Sequence, residues 1–577
     1  MNKFVIIWIL SCGFCVICKT SSPEFKSDYS RNHLHWTCSN NACERIAGNY
    51  RVNKTLLTLE TCRKMCVDDP IWPLPKSMKI FNKWHSQFLK NKIMYNIEAL
   101  PGTLKLLEES IKIFRAYFKK NDTTREGNYL KLNIRVKNKD DIVKLELGTN
   151  ECYQLFVKLG KTVNVTIVSQ TFFGARHGLE SLSQLIWFDP HENTYQILHD
   201  VEIEDCPEFA YRGVMVDTSR NFFPIILLKK VVDGMSHTKL NILHLHLTDS
   251  VSFPMKLKDL EWLSNGAYDD ESLYTEEDIE DLIQYSTLRG VKLILEIDAP
   301  SHVSAGWHFH PTLSDLVICD EEDILNGHLN PDNEESLNIL QNIYRNLLNL
   351  MHNDDIFHIG GDEVNLRCLE TTKTARNFSD MITFWANYTN VLFERLKLAN
   401  NNKLPKNVIM WSSPLTDSYD GLNYLNHKEN IIVQFWFGNS YLFLAKQFRV
   451  IFSTVGYWYL DCGFGPWKPS QVHGVCDPFK NWQKAYEYRP WESKYIKSLT
   501  EGGEVCLWSE QVAEESLETR IWPRAAAFAE RMWSDPPELN NNTYVRLDNL
   551  RESMRSRGIK VSAIWPRWCS INPGSCQ

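Results

Sequence analysis

Eight short apolar runs between residues 211 and 510, separated by amphipathic stretches, constrain this chain more than any other feature of it. They read RGVMVD (212–217), ILHLHLTD (242–249), VKLILEIDAPSH (291–302), IFHIGGDE (356–363), VIMWSS (408–413), IIVQFW (431–436), VIFSTVGYWYLD (450–461) and EVCLWSE (504–510). Such runs, alternating with helical segments like TEEDIEDLIQYSTLRG (275–290), are the pattern of a parallel sheet covered on both faces, and eight of them fit a closed (β/α)8 TIM barrel. Nearly every run ends in a polar or aromatic residue: Asp217, Asp249, His302, Glu363, Trp411, Trp436, Asp461 and Glu510. Barrel sites are built at the C-terminal strand ends, so these residues are expected to meet at one mouth. The fold alone names no chemistry.

Upstream, the pattern changes. TLKLLEESIKIFRAYFKK (103–120) places Leu104, Leu107, Ile111, Phe114 and Phe118 on one helical face. NYLKLNIRV (128–136) and TVNVTIV (162–168) alternate as half-buried strands, and the second leads into a helix, GARHGLESLSQLI (174–186). The expected organisation is a leader over residues 1–20, a Cys-rich segment over 21–74, a small α+β domain with an antiparallel sheet and helices over 75–205, and the barrel over 206–577.

The leader has one Lys and an apolar run from Phe4 to Cys18, short for a membrane span of ~20 residues. A cleaved signal peptide is the better reading, with an uncleaved signal anchor as the alternative. Thirteen of the 16 cysteines lie beyond it. Cys38, Cys43, Cys62 and Cys66 form a disulfide knot by spacing, with a zinc site as the rival; Cys319–Cys368, Cys462–Cys476 and Cys569–Cys576 are plausible pairs. The odd count leaves at least one of Cys152, Cys206 and Cys506 free. Six N-x-S/T sequons, at Asn53, Asn121, Asn164, Asn377, Asn387 and Asn541, agree with a secretory glycoprotein. Lys and Arg total 63 against 71 Asp and Glu, with no basic block, so nucleic acid is not an expected partner.

Three constellations carry chemistry. HIGGDEV (358–364) sets two adjacent carboxylates after two glycines at a strand end. Neighbours on a strand point to opposite sides, so Asp362 and Glu363 should do different jobs unless the backbone bends. A negative Asp362 is expected to raise the Glu363 pKa and favour a protonated acid. Second, Trp411, Trp436, Trp458, Tyr459 and Trp508 lie near the ends of the last four strands, with Asp461 and Glu510 beside them and Arg212 opening the first. Flat aromatic faces with carboxylates and Arg suit sugar rings and their hydroxyls. Third, His244 and His246 share one face of a strand and, with His302 and Asp362, offer a metal-dependent alternative.

Taken together, HIGGDEV, DTSRNF (217–222), HLTDSVSFP (246–254), EIDAPSH (296–302), CLWSEQV (506–512) and GARHGLESLSQL resemble the family 20 β-N-acetylhexosaminidases, in order, over roughly residues 75–577. The resemblance implies a retaining, cofactor-free hydrolase of terminal non-reducing GlcNAc, with GalNAc as a further possibility, in which the substrate's 2-acetamido oxygen is the nucleophile and an oxazolinium forms. It implies Glu363 as general acid/base, Asp362 as the residue orienting the acetamido N–H, and Tyr459 as donor to the acetamido oxygen. Trp411, Trp436 and Trp508 become walls of the sugar pocket, Arg212, Asp461 and Glu510 holders of its hydroxyls, and His302 and Asp249 a shell behind the acidic pair. The family is commonly homodimeric. This chain has Leu245 and Leu369 where the family usually has Trp, both apolar replacements.

YLDCGFGPW (459–467), Cys476 and KNWQKAYEYRPWE (480–492) resemble the insect enzymes. Chitin-oligosaccharide degraders of that group typically carry Trp before the Cys, where Val475 stands, and an acidic residue where Ala305 stands. The resemblance is therefore nearer to the fused-lobes-like enzymes that trim terminal GlcNAc from N-glycans, with chitin oligosaccharides as the alternative substrate. The expected location is the secretory pathway: secreted, lysosomal, or anchored in the Golgi or plasma membrane. A metal-dependent hydrolase and an inactive glycan-binding protein are the competing classes.

Overall fold

The computed structural model describes residues 34–576, apart from 40–41, 49, 51, 54, 121–126, 320–326, 353–354, 379, 439–445, 492 and 573–574. The leader and the Asn121 sequon fall outside the described residues. The apolar runs fold as the barrel strands: Tyr211–Asp217 (β1), Ile242–Thr248 (β2), Lys292–Ile297 (β3), Ile356–His358 (β4), Asn407–Trp411 (β5), Ile431–Phe435 (β6), Arg449–Phe452 (β7) and Thr500–Leu507 (β8). Each pairs in parallel with the next, and β8 closes on β1. One run outlasts its strand. β7 stops at Phe452, a helical turn follows at Val455–Trp458, and Tyr459 then comes back to bridge Cys506 on β8.

Alternation along the strands sorts the core. Val214, Val216, Leu243 and Leu245 face outward into the main apolar core shared with the surrounding helices. Tyr211, Ile242, Ile294, Ile356, Ile409, Ile432 and Ile451 form a separate apolar layer that closes the N-terminal end of the barrel. The next interior layer is polar: His244, Glu296, His358, Gln434 and Glu504 are all fully buried. Among the flanking helices, Glu276–Thr287 begins in a capping box, with Thr275 and Asp278 each satisfying the other's backbone N–H.

The preceding domain is an eight-stranded sheet ordered 77–80, 201–205, 153–159, 163–169, 128–136, 85–98, 194–198 and 186–189. It is antiparallel except where strand 128–136 lies parallel to both its neighbours. Helix Pro101–Ala116 supplies the crossover that the parallel pairing with 85–98 requires. Helix Phe172–Gln184 is buried along its whole length, polar residues included. Within it Glu180 lies 3.3 Å from Arg176, and across the junction with the barrel it lies 2.9 Å from Arg557 and also meets His237. Asp205 of the same domain holds the buried Lys239 at 2.9 Å.

The Cys-rich segment is a hairpin, His35–Ser39 with Ala42–Ile46, tied to helix Leu59–Cys66 by Cys38–Cys66 and Cys43–Cys62. The Trp36 indole donates to the Ile571 carbonyl (2.9 Å), and Arg63 pairs with Asp548 (2.8 Å), so this segment is fastened to the chain's C-terminal end. Cys152–Cys206, Cys319–Cys368, Cys462–Cys476 and Cys569–Cys576 are also bridged, leaving Cys506 as the free, buried thiol among the described residues. No helix among the described residues is long and apolar enough to cross a membrane.

Candidate active site

The chain turns sharply after β4, and the two glycines make the turn possible. Gly360 and Gly361 have φ of +71° and +96°, and a Cβ on Gly360 would lie 1.7 Å from Asp298 Oδ1. That oxygen accepts from the Gly361 N–H at 2.7 Å, so the loop wraps round the Asp298 carboxyl. Glu363 also takes a positive φ, +49°, which bends the backbone between the two acidic residues. Asp362 is left 8% exposed, while the Glu363 side chain is 55% exposed and faces the mouth.

Their electrostatics differ from the sequence expectation. Glu363 is held below the usual carboxylate range, mainly by a hydrogen bond from His302 and the charge of that imidazole, not raised by Asp362. The influence runs the other way: burial first, then the Glu363 charge, push Asp362 up. Asp298 is also driven well up, by burial and by the Asp362 charge, so the two neighbouring buried carboxyls resist being ionised together.

Behind Glu363 stands a line of groups. His302 Nε2 is 3.4 Å from Glu363 Oε2, and its Nδ1 is 3.5 Å from Asp249 Oδ2. Asp249 also contacts His246 Nε2 at 3.0 Å and Arg220 Nη2 at 2.6 Å. Burial would protonate Asp249, but Arg220, His302 and His246 outweigh it and keep the carboxyl ionised. His302 is correspondingly raised well above the ordinary histidine value, because Asp249 and Glu363 overcome its desolvation.

Around this line lies an aromatic pocket. Trp411, Trp508 and Tyr459 pack in one cluster with Met215 and the partly buried Trp436. Trp411 and Trp508 ring centres are 6.0 Å apart, and the Trp436 indole is fixed by the Ser412 carbonyl at 2.9 Å. Tyr459 is buried and its pKa lies well above 10, so its phenol remains a donor. Asp461 and Glu510 flank the cluster; burial, then the Glu510 charge, raise Asp461 to about 7. Buried polar atoms at this mouth without a hydrogen-bond partner in the protein include Arg220 Nη1, Asp362 Oδ1 and Asp461 Oδ1. Unpaired buried groups are costly, and a cluster of them is what a polar ligand would satisfy.

Three sequence expectations are corrected here. Arg212 is not at the mouth. It is the second residue of β1, at the opposite end of the barrel, and strand alternation turns it outward while Tyr211 faces in. Its guanidinium is spent on Glu151 (2.9 and 2.6 Å) and on the carbonyls of Lys239 and Phe209. The arginine at the mouth is Arg220, three residues beyond the end of β1, with its guanidinium 5.1 Å from the Trp508 ring centre. It lies within the DTSRNF motif, whose Asp217 accepts from the Ser219, Arg220 and Ser509 N–H groups and shapes the turn. Trp458 is also not a mouth residue: it is fully buried and donates to the Ala485 carbonyl at 3.1 Å. Finally, His244 and His246 do not face His302 and Asp362 as a ligand set. His244 lies 3.0 Å from both Glu296 and Glu504, and His246 is held between Glu296 (2.9 Å) and Asp249 (3.0 Å). Asp298, Glu296 and Arg220 were all inside recognised motifs, but only the folded register shows what they touch.

The family described as "Glycosyl hydrolase family 20, catalytic domain" matches residues 209–536, and "beta-acetyl hexosaminidase like" matches residues 71–185. The chain is 33% identical to "Probable beta-hexosaminidase fdl" of Drosophila melanogaster, over 94% of this chain and 91% of that one. It is 34% identical to "Chitooligosaccharidolytic beta-N-acetylglucosaminidase" of Bombyx mori, over 99% and 98%. A solved exo-β-N-acetylglucosaminidase from Vibrio harveyi, in complex with N-acetylglucosamine, shares the fold with a TM-score of 0.68 at 20% identity, over 86% and 79% of the two chains. The chain belongs to glycosyl hydrolase family 20 and is a β-N-acetylhexosaminidase of insect type.

Proposed function

We propose that the enzyme removes terminal GlcNAc from N-glycans in the secretory pathway, with the residue roles that follow. Asp362 accepts the acetamido N–H through the unpartnered Oδ1 and turns the acetamido oxygen towards the anomeric carbon. Tyr459 donates to that oxygen. As it attacks, the glycosidic bond breaks and Glu363 gives its proton to the leaving oxygen. The oxazolinium carries positive charge beside the Asp362 carboxylate. Glu363, now a base, activates water, which opens the ring with net retention.

In the unliganded arrangement Glu363 is paired with a protonated His302. A sugar seated over its half-exposed side chain excludes water, raises the carboxyl and favours transfer of the shared proton to it. Arg220 and the Asp461–Glu510 pair offer a cation and two acceptors to the sugar hydroxyls, while Trp411, Trp436 and Trp508 wall the ring.

What favours glycan arms is the residue type at the two positions, 475 and 305, where this chain departs from the chitin-oligosaccharide degraders. Val475 is 80% exposed and presents no ring on which a second sugar could stack; Ala305 presents no polar atom. A site of this kind grips the terminal residue and leaves the next sugar loosely held. Digestion of a biantennary N-glycan and of chitobiose and chitotriose, side by side, tests the reading. Branch-selective GlcNAc release with poor chitin-oligomer cleavage supports it; rapid chitin-oligomer hydrolysis overturns it, and no release from either substrate overturns the activity itself.

A further inference from the structure

The polar layer inside the barrel is not needed to close the fold, since the isoleucine layer below it already does so. At its centre is Glu296, fully buried on β3 and offering both oxygens. Oε1 accepts from the Trp411 indole N–H at 2.8 Å and lies 3.2 Å from His358 Nδ1. Oε2 lies 2.9 Å from His246 Nδ1 and 3.0 Å from His244 Nε2. Trp411 is a wall of the sugar pocket, and the far nitrogen of His246 meets Asp249. One carboxylate therefore reaches both halves of the site from beneath.

We propose that Glu296 is a positioning residue for the reaction: one oxygen fixes the Trp411 indole, the other fixes the His246 imidazole that holds Asp249 behind His302 and Glu363. This rests on the roles given above to Trp411 and Glu363. A buried, unpaired carboxylate would be expensive, and an apolar residue would suffice if the layer only filled space. The bonds are instead directed, each oxygen to one side of the site. Supporting this, burial opposes charge on His246, yet Glu296 and Asp249 raise it to about 10; His244, between Glu504 and Glu296, is raised to about 9. Glu296 itself stays ionised, because His358, His246 and His244 outweigh its desolvation. The other charged groups facing this cluster are Glu504, Asp298, Asp362 and Arg220. With Glu296 charged, His246 remains a cationic donor across the working pH range, and Asp249 stays anionic and fixed.

The test is Glu296→Gln, which keeps the shape and one acceptor but removes the charge. With chitobiose and a 4-nitrophenyl GlcNAc glycoside as probes, kcat is expected to fall about tenfold to a hundredfold, more for chitobiose, whose leaving group needs the acid. The kcat–pH profile should gain a new decline on the alkaline side near the ordinary histidine pKa of ~6.5, where His246 now loses its proton. A cyclic thiazoline analogue of the oxazolinium should bind about tenfold more weakly. A residue that is only structural would lower the melting temperature and leave the pH profile, the leaving-group dependence and analogue binding of the folded fraction unchanged; that result overturns the proposal. If Glu296→Gln does not fold, two milder variants carry the test. Trp411→Phe should weaken the analogue, and His246→Gln should change the pH profile; wild-type behaviour in both also overturns it. Failure of the wild-type enzyme on both probes would instead refute the functional reading.

Discussion

Replacing Arg212 separates two roles that the sequence could not tell apart. The guanidinium is fully buried and makes two hydrogen bonds to Glu151, one to the Lys239 carbonyl and one to the Phe209 carbonyl, against the Trp533 ring at 5.0 Å. In Arg212→Met, Glu151 keeps only His177 (2.8 Å) and Asn241 (3.0 Å). Breaking a buried ion pair by removing one partner costs about 3–5 kcal/mol. The carboxyl feels the same partner: burial opposes its charge, yet Arg212 and then His177 hold it at about 2, well below the ordinary carboxylate range. The melting temperature near neutral pH should therefore drop by about 3–6 °C. Because Glu151 has a lowered folded pKa, its contribution is present above pH 4.5 and lost as pH falls towards about 2; the variant should be relatively less penalised in acid. KM for a 4-nitrophenyl GlcNAc glycoside, measured on folded protein, should be unchanged. A variant with wild-type melting and a KM raised tenfold would refute this placement and return Arg212 to the sugar.

Three other outcomes are expected. Glu363→Gln should lose activity mainly on glycosides with poor leaving groups, whereas Asp362→Asn should slow activated ones as well, since the oxazolinium loses its counter-charge; steady-state kinetics on both substrate types distinguish them, and a normal rate for Asp362→Asn on the activated substrate would contradict the assignment. Arg220→Met should raise KM and disturb the pH profile together, because Arg220 both faces the sugar pocket and holds Asp249 at 2.6 Å. KM should rise as pH falls through about 7, where Asp461 gains its proton and ceases to be a full acceptor for a sugar hydroxyl; Asp461→Asn should flatten that dependence.

Much of this protein is determined locally and is visible along the chain. The eight strands follow from runs of buried apolar residues, and the sequence marks Asp362, Glu363 and several tryptophans by their place after those runs, whereas Tyr459 reaches the mouth only by way of the turn that follows β7. The Gly-Gly pair before the acidic residues is legible because both positions take a positive φ and Gly360 also lies against the Asp298 carboxyl, where a Cβ has no room. What the one-dimensional pattern cannot convey is the direction of a side chain at a strand's edge and the partner it meets from a distant segment. Arg212 and Arg220 are eight positions apart, yet alternation sends the first outward at the closed end to a glutamate 61 residues away, and a turn built on Asp217 brings the second to the mouth. The charge states were decided the same way. Glu363 takes its acidity from His302 and not from its sequence neighbour, and Glu296 binds indole and imidazole contributed by other strands. Electrostatics and hydrogen bonding act over a few ångströms in space, so only closure of the barrel could specify which of the chain's many carboxylates share a proton, anchor a wall, or face the substrate.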